Sequence, residues 1–288
     1  MTASALALIL AAAVVHATWN VLAKRAHPES SVAFVWLCSA ISALAYVPVV
    51  AVLFVVAPPR PFGALGIAFA AGTALIHLVY FVLLQRGYRE GDLSLVYPLA
   101  RGTGPLLASA VAVAFFGERP SHLAAAGIAC VVAGIFLSAG SARGERRAIV
   151  SAAYGIGAGA SIAAFTLWDK HAVSALAFSP ILYDFSRIVL QTLCMAPLAF
   201  ARDRTAIART WRSCAREAIG VAVLSPLAYV LILFALVHAP VSLVAPAREI
   251  SIVFGTLLGA RLFGEAALRR RIVAAVLMLA GIAAIAHG

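Results

Sequence analysis

Two arginines stand where an apolar chain carries charge at a cost. Arg101 lies about eight residues into the apolar run 93–116, and Arg248 about six residues into the run 242–262. At ~1.5 Å per residue those depths are ~12 and ~9 Å. The runs enter a hydrocarbon layer ~30 Å thick from opposite faces, so both guanidiniums approach its middle. An ionised side chain there costs at least ~2.5–3.5 kcal/mol and normally faces a cavity or a partner. Glu249 follows Arg248 directly, but neighbours on a helix point ~100° apart. Its expected partner is therefore Arg101, reached from the other run. Two arginines against one carboxylate leave one positive charge to be matched, and the planar guanidinium fork suits a carboxylate or a phosphate. Two roles stay open: a buried structural ion pair, or a grip on an anionic solute.

Further polar side chains have the spacing of helix stripes. His16, Trp19, Asn20 and Lys24 fall at i, i+3, i+4 and i+8 in the first apolar run, and His77 and Tyr80 pair in the third. Trp168 ends the sixth run and Tyr229 lies within the eighth. All seven non-lysine residues are candidate substrate contacts. Trp19 and Trp168 equally fit an interfacial belt, and either histidine fits a hydrogen-bonded helix contact. Lys24 and Lys170 fit snorkelling anchors at helix ends. Asp184 and Arg187, three apart, fit a structural pair on one face. Glu118 and Glu265 precede the fifth and tenth runs, where a carboxylate favours the positive helix N-terminus. Gly102, Gly104, Gly155, Gly157 and Gly159 suit close helix packing.

The elements that must position these groups follow from composition. Of 288 residues, 64% are hydrophobic and 11% charged, with mean hydropathy +1.02. Soluble domains carry about 45–50% apolar and about 25% charged residues. The apolar runs are continuous rather than alternating, which excludes a membrane barrel. The expected fold class is an all-α integral membrane protein with ten transmembrane helices. The spans are expected at about 3–23, 32–56, 63–85, 93–116, 121–140, 148–168, 178–200, 218–238, 242–262 and 271–286. The first reads as a retained span rather than a cleaved leader, because its apolar run continues into His16, Trp19 and Asn20. Only 201–217 is long enough to be a loop.

The net charge of +11 does not imply a nucleic-acid partner, because most Lys and Arg lie between the apolar runs. Sixteen fall on one face and three on the other. By the positive-inside rule the heavy face is cytoplasmic and both termini are outside. Cys38, Cys130, Cys194 and Cys214 lack a pair or metal spacing, so neither disulfide nor metal is expected. A GxSG nucleophile, an HExxH motif, an acidic metal cluster and an ATP-binding loop are all missing. Hence an intramembrane enzyme is disfavoured, and no cofactor is expected.

The halves repeat. Val96–Glu118 reads VYPLARGTGPLLASAVAVAFFGE and Val244–Glu265 reads VAPAREISIVFGTLLGARLFGE. Pro98 aligns with Pro246 and Arg101 with Arg248, and 17 residues separate Arg from the Glu of FGE in each half. More weakly, WNVLAKRA at 19–26 aligns with FTLWDKHA at 165–172, so Lys24 meets Lys170. Glu249 has Gly102 as its counterpart, which breaks the symmetry at a titratable group. Each half has five spans, an odd number, so the second enters upside down; inverted repeats carry substrate sites near the midplane.

On these residues the chain resembles the drug/metabolite transporter superfamily, EamA type. The motif positions are Pro98 with Gly117-Glu118, Pro246 with Gly264-Glu265, and HATWN with Lys24. The resemblance implies two five-helix units, 1–147 and 148–288, in a ten-helix secondary carrier or exporter of small metabolites. Many ten-span members are expected to have cytoplasmic termini, whereas the charge bias here places them outside. The expected function is secondary active transport of a small anionic or zwitterionic metabolite across the cell (inner) membrane. The expected partners are that solute and the lipid bilayer, with protons a possible coupling ion through Glu249. A lipid flippase or a non-transporting partner subunit is the alternative reading.

Overall fold

The structure, a computed structural model, describes residues 1–26, 31–58, 62–138, 144–202, 204–254 and 268–288. Its helices are α1 (Ala3–Arg25), α2 (Ser31–Val56), α3 (Gly63–Glu90), α4 (Leu93–Phe115), α5 (His122–Ser138) and α6 (Glu145–Lys170). A π-turn, His171–Ala175, continues α6. There follow α7 (Pro180–Arg202), α8 (Arg204–His238), α9 (Val241–Ala247) and α10 (Leu268–His287). Among the described residues six stretches are long and apolar enough to cross a membrane. They lie in α1, α2, α3, α4, α6 with its π-turn, and α8. Helices α5 and α10 contribute shorter apolar stretches, His122–Ser138 and Ile272–His287. The protein is a multi-pass helical membrane protein.

Two expectations need correction. Residues 201–217 are not a loop: α8 starts at Arg204, and a kink at Cys214 (φ −146°, ψ 39°) separates its first turns from the membrane part. The cause is amphipathicity. Ala206, Thr210, Cys214 and Ala218 recur every four residues and are buried, while Arg209, Trp211, Arg212 and Arg216 stay exposed. Such a pattern is that of an amphipathic helix with one buried stripe and a charged outer face. The ninth element is also not one continuous helix over 242–262. Helix α9 stops at Ala247, a turn occupies Arg248 and Glu249, and helical backbone resumes over 250–254. Around the turn the bonds tighten to three-residue steps: Glu249 N–H donates to Pro246 O, Ser251 to Arg248 O and Ile252 to Glu249 O.

Exchanging the two halves maps several of the helix contacts among the described residues onto one another. Helix α1 packs on α8 as α6 packs on α3, and α2 packs on α8 as α7 packs on α3. The pairs α2–α7, α4–α9 and α5–α10 map onto themselves. Small residues let these helices approach. A Cβ on Gly127 would lie 2.5 Å from Gly281 O, and one on Gly281 2.6 Å from Gly127 O, so α5 and α10 touch backbone to backbone. Gly104 and Gly159 serve the α4–α6 contact in the same way, meeting Ile162 and Thr103 at 2.7 Å. Gly157 does not, having only ordinary contact with Leu83.

Prolines inside these helices leave carbonyls without donors, and in lipid each must find another partner. Pro226 frees Ala222 O, which lies 2.6 Å from Ser42 Oγ of α2. Pro246 frees Ser242 O, which accepts from Ser109 Oγ of α4 at 3.1 Å. Both donors are buried serines on a facing helix, so each proline is matched by one hydroxyl.

Candidate functional site

The α4–α9 contact brings the two arginines to one carboxylate. Arg101 Nε lies 2.7 Å from Glu249 Oε2, and Arg248 Nε 3.3 Å from Glu249 Oε1. Glu249 has no solvent exposure, while the Arg101 and Arg248 side chains keep 13% and 12%. The second contact corrects the expectation that sequence neighbours cannot face each other. The turn at 248–249 replaces helical geometry and folds Arg248 back on Glu249. Arg248 Cζ also sits 5.8 Å over the Phe165 ring. Arg101 Nη2 donates to Ser251 Oγ at 3.2 Å, just beyond the turn. The 2.7 Å contact is a charge contact rather than a directed hydrogen bond, because Arg101 Nε–H does not point along it. Arg101 Nε and Glu249 Oε2 are thus both buried without a hydrogen-bond partner among the described residues.

Other sequence candidates gather nearby. His16 lies within the electrostatic field of Arg101 and Arg248, and Tyr80 within that of both arginines and Glu249. Trp19 packs edge-on against His16 at 4.8 Å, and its indole N–H is buried without a partner among the described residues. Phe165 of α6 is the hub of an aromatic cluster: His77 stacks on it at 4.1 Å, and Tyr80 and Tyr229 meet its edge at 6.1 and 6.5 Å. His77 Nδ1 lies 2.8 Å from Thr73 O, which fixes its ring.

Three candidates stand apart. Asn20 spends its amide on His16 O at 2.7 Å, a local helical bond. Trp168 stacks on Phe69 at 4.5 Å, donates to Phe69 O at 2.9 Å and is 37% exposed, away from the arginines. Lys170 is more than an anchor: Nζ donates to Leu236 O (2.5 Å) and Ala239 O (2.9 Å), which ties it to the C-terminus of α8. Glu118 does serve a helix N-terminus, but that of α9 rather than α5. Its Oε1 accepts from Val241 N at 2.9 Å and its Oε2 from Ser242 N at 2.8 Å. The carboxylate of one half therefore holds the broken helix of the other. Hydrogen bonds to charged groups contribute about 1.5–3 kcal/mol each. Glu118→Ala is accordingly expected to lower stability by about 2–4 kcal/mol, read as a fall in Tm in detergent. An unchanged Tm would deny the cap that role. Glu265 lies outside the described residues.

A second polar group was not singled out by sequence reasoning. Asp169 is fully buried and accepts from Tyr183 Oη at 2.6 Å and from Tyr229 Oη. Asp184 holds Arg187 through Nε (2.8 Å) and Nη2 (2.6 Å), as expected of a structural pair. That pair is built into a larger network. Tyr46 donates to Asp184 Oδ2 at 2.7 Å, Arg187 donates to Gln191 Oε1 at 2.9 Å, and Arg187 Cζ lies 5.0 Å over the Tyr229 ring.

This is a polytopic helical bundle of two like halves, with charged groups and a broken helix buried where the halves meet. Such features define membrane transporters rather than structural membrane proteins. The EamA-like transporter family matches the chain twice, over residues 3–140 and 149–286. The protein belongs to that family, of the drug/metabolite transporter type. No curated protein sequence matches it. One solved structure, described only as the crystal structure of a protein, is similar in fold. It aligns at 13% identity with a TM-score of 0.78 and covers 99% of each chain.

Proposed function

We propose that the protein is a secondary active transporter of a small anionic or zwitterionic metabolite, working in the cell (inner) membrane by alternating access of two inverted five-helix halves. The observation that carries this reading is the Glu249 carboxylate held between Arg101 and Arg248 at the α4–α9 contact. The triad keeps one surplus positive charge, both guanidiniums retain a little exposure, and its closest contact is poorly directed. A substrate carboxylate or phosphate displaces Glu249 from one arginine and supplies the better-aligned bidentate pair. Trp19, packed on His16, carries an N–H without a partner among the described residues, while His16, His77, Tyr80 and Tyr229 shape the walls. Glu249 released from its arginine takes up a proton, which links anion and proton to the same pair. A pH gradient that drove accumulation equally in wild type and Glu249→Gln would remove Glu249 from that role.

Thermal unfolding of the purified protein with a panel of small carboxylates and phosphates tests the anion site. A ligand that binds only the folded state at a hundredfold excess over its Kd adds about 2.7 kcal/mol. The expected result is a Tm increase with matching anions and none with their neutral esters. Equal effects of acid and ester would contradict an arginine grip. Topology is tested separately by cysteine labelling in intact cells. The 16-to-3 basic asymmetry predicts that a probe at position 205 or 212 is protected while one at the C-terminus reacts. The reverse pattern would invert the orientation.

A further inference from the structure

Buried carboxylates elsewhere in the described bundle are neutralised by guanidiniums: Glu249 by Arg101 and Arg248, and Asp184 by Arg187. Asp169 is the exception among the described residues. It has no exposure, and no basic nitrogen forms an ion pair with it. Lys170, the next residue, is turned to the carbonyls of α8. Arg187 of α7 is within electrostatic reach but is committed to Asp184, Gln191 and the Tyr229 ring. The groups that face Asp169 are otherwise neutral: Tyr183 from α7, Tyr229 from α8, and Thr73 with His77 behind it from α3. An isolated ionised carboxylate in such surroundings is costly enough that it neutralises instead.

We propose that Asp169 is a proton-carrying site of the transport cycle, protonated while sealed between α6, α7 and α8 and deprotonated when water reaches it. The inference rests on the transport reading and names a proton site that the arginine pair does not include. The hydroxyl geometry accommodates both states. When Asp169 is ionised, Tyr183 and Tyr229 both donate to it. When it binds a proton, its new O–H must donate, so one tyrosine oxygen must accept and send its own hydrogen elsewhere. Tyr183 Oη has that second acceptor, Phe69 O at 3.4 Å. The proton thus adds to one carboxyl oxygen while the Tyr183 hydrogen swings from Asp169 to Phe69 O, and no buried donor is orphaned.

The position also suits a moving part. Asp169 lies two residues before the π-turn His171–Ala175, and single π-turns in helices are frequent at functional sites. Lys170, just before the turn, and Ser174, within it, both grip Leu236 O at the end of α8. Tyr229, also on α8, touches Asp169 and meets the edges of His77 and Phe165, and Phe165 carries Arg248. A shift of α8 that breaks the Tyr229 bond would therefore open Asp169 and disturb the ring beneath Arg248 together.

Infrared spectra of the protein in lipid vesicles, recorded across pH, test this without any transported solute, so failure here is separable from failure of the transport reading. The expected result is a protonated-carboxyl C=O band that grows reversibly on acidification. Isotope labelling of aspartate carboxyls should move it, and labelling of glutamate carboxyls should not. It should vanish in Asp169→Asn and persist in Asp184→Asn. If Asp169→Asn does not fold, Tyr183→Phe provides the second reading, with the aspartate band displaced in frequency by loss of that partner. A band that does not titrate, is absent, belongs to glutamate, survives Asp169→Asn or ignores Tyr183→Phe would overturn the proposal.

Discussion

Glu249→Gln is expected to be the most destabilising single change at the centre of the protein. The carboxylate is wholly buried and touches both guanidiniums. Removing one member of a buried ion pair costs about 3–5 kcal/mol, because the remaining charge is left uncompensated. Here two are left, on opposite sides of one neutral amide. Thermal unfolding in detergent should show a large fall in Tm. Because the loss arises from uncompensated charge, the double change Arg101→Gln with Glu249→Gln should be less destabilising than the sum of the singles. Soluble anions should stabilise the Glu249→Gln protein more than the wild type, since they replace the missing carboxylate. A Glu249→Gln protein as stable as the wild type would mean that the carboxylate does not hold the arginines.

The second large effect is on binding. Arg101→Gln and Arg248→Gln each leave Glu249 with one guanidinium, so both variants are expected to fold. Truncating one partner of a buried charge pair costs about 2–5 kcal/mol, so apparent affinity for the anion should fall by at least ~30-fold at ~1.4 kcal/mol per tenfold. Arg101→Lys should not restore it, because an ammonium lacks the planar fork. The two sites differ in what else they lose. Arg101 gives up its bond to Ser251, and Arg248 its place over Phe165. Loss of folding in both Gln variants would instead make the pair purely structural.

The repeat carried most of what the sequence revealed. Pro98 with Pro246 and Arg101 with Arg248 keep register because the same packed position recurs in both halves. The meeting of Arg101 with Glu249 then followed from helix depth together with the expectation, corrected for Arg248, that helix neighbours point apart. The break in α9 was not legible, because Arg248 and Glu249 sit in an apolar run whose periodicity continues through them. The 201–217 segment was misread because its basic residues resemble a loop, while its buried four-residue stripe is short. Asp169 was hidden by Lys170: an acid and a base side by side at a span end look like a solvated pair, yet the structure turns them to different helices. A signal was present nonetheless. In the alignment of 19–26 with 165–172, Asp169 stands opposite Ala23, the same loss of symmetry at a titratable group that marked Glu249 against Gly102.

The central claim is that the buried arginine pair recognises a transported anion. Its most direct test is tracer flux into proteoliposomes of purified wild type and Arg101→Gln, using labelled small carboxylates and phosphates alongside their neutral esters. The account predicts saturable entry of at least one anion by the wild type, little entry of its ester, and loss of the anion flux in Arg101→Gln while the protein remains folded. Equal flux of acid and ester through the wild type, or undiminished anion flux through folded Arg101→Gln, would contradict it.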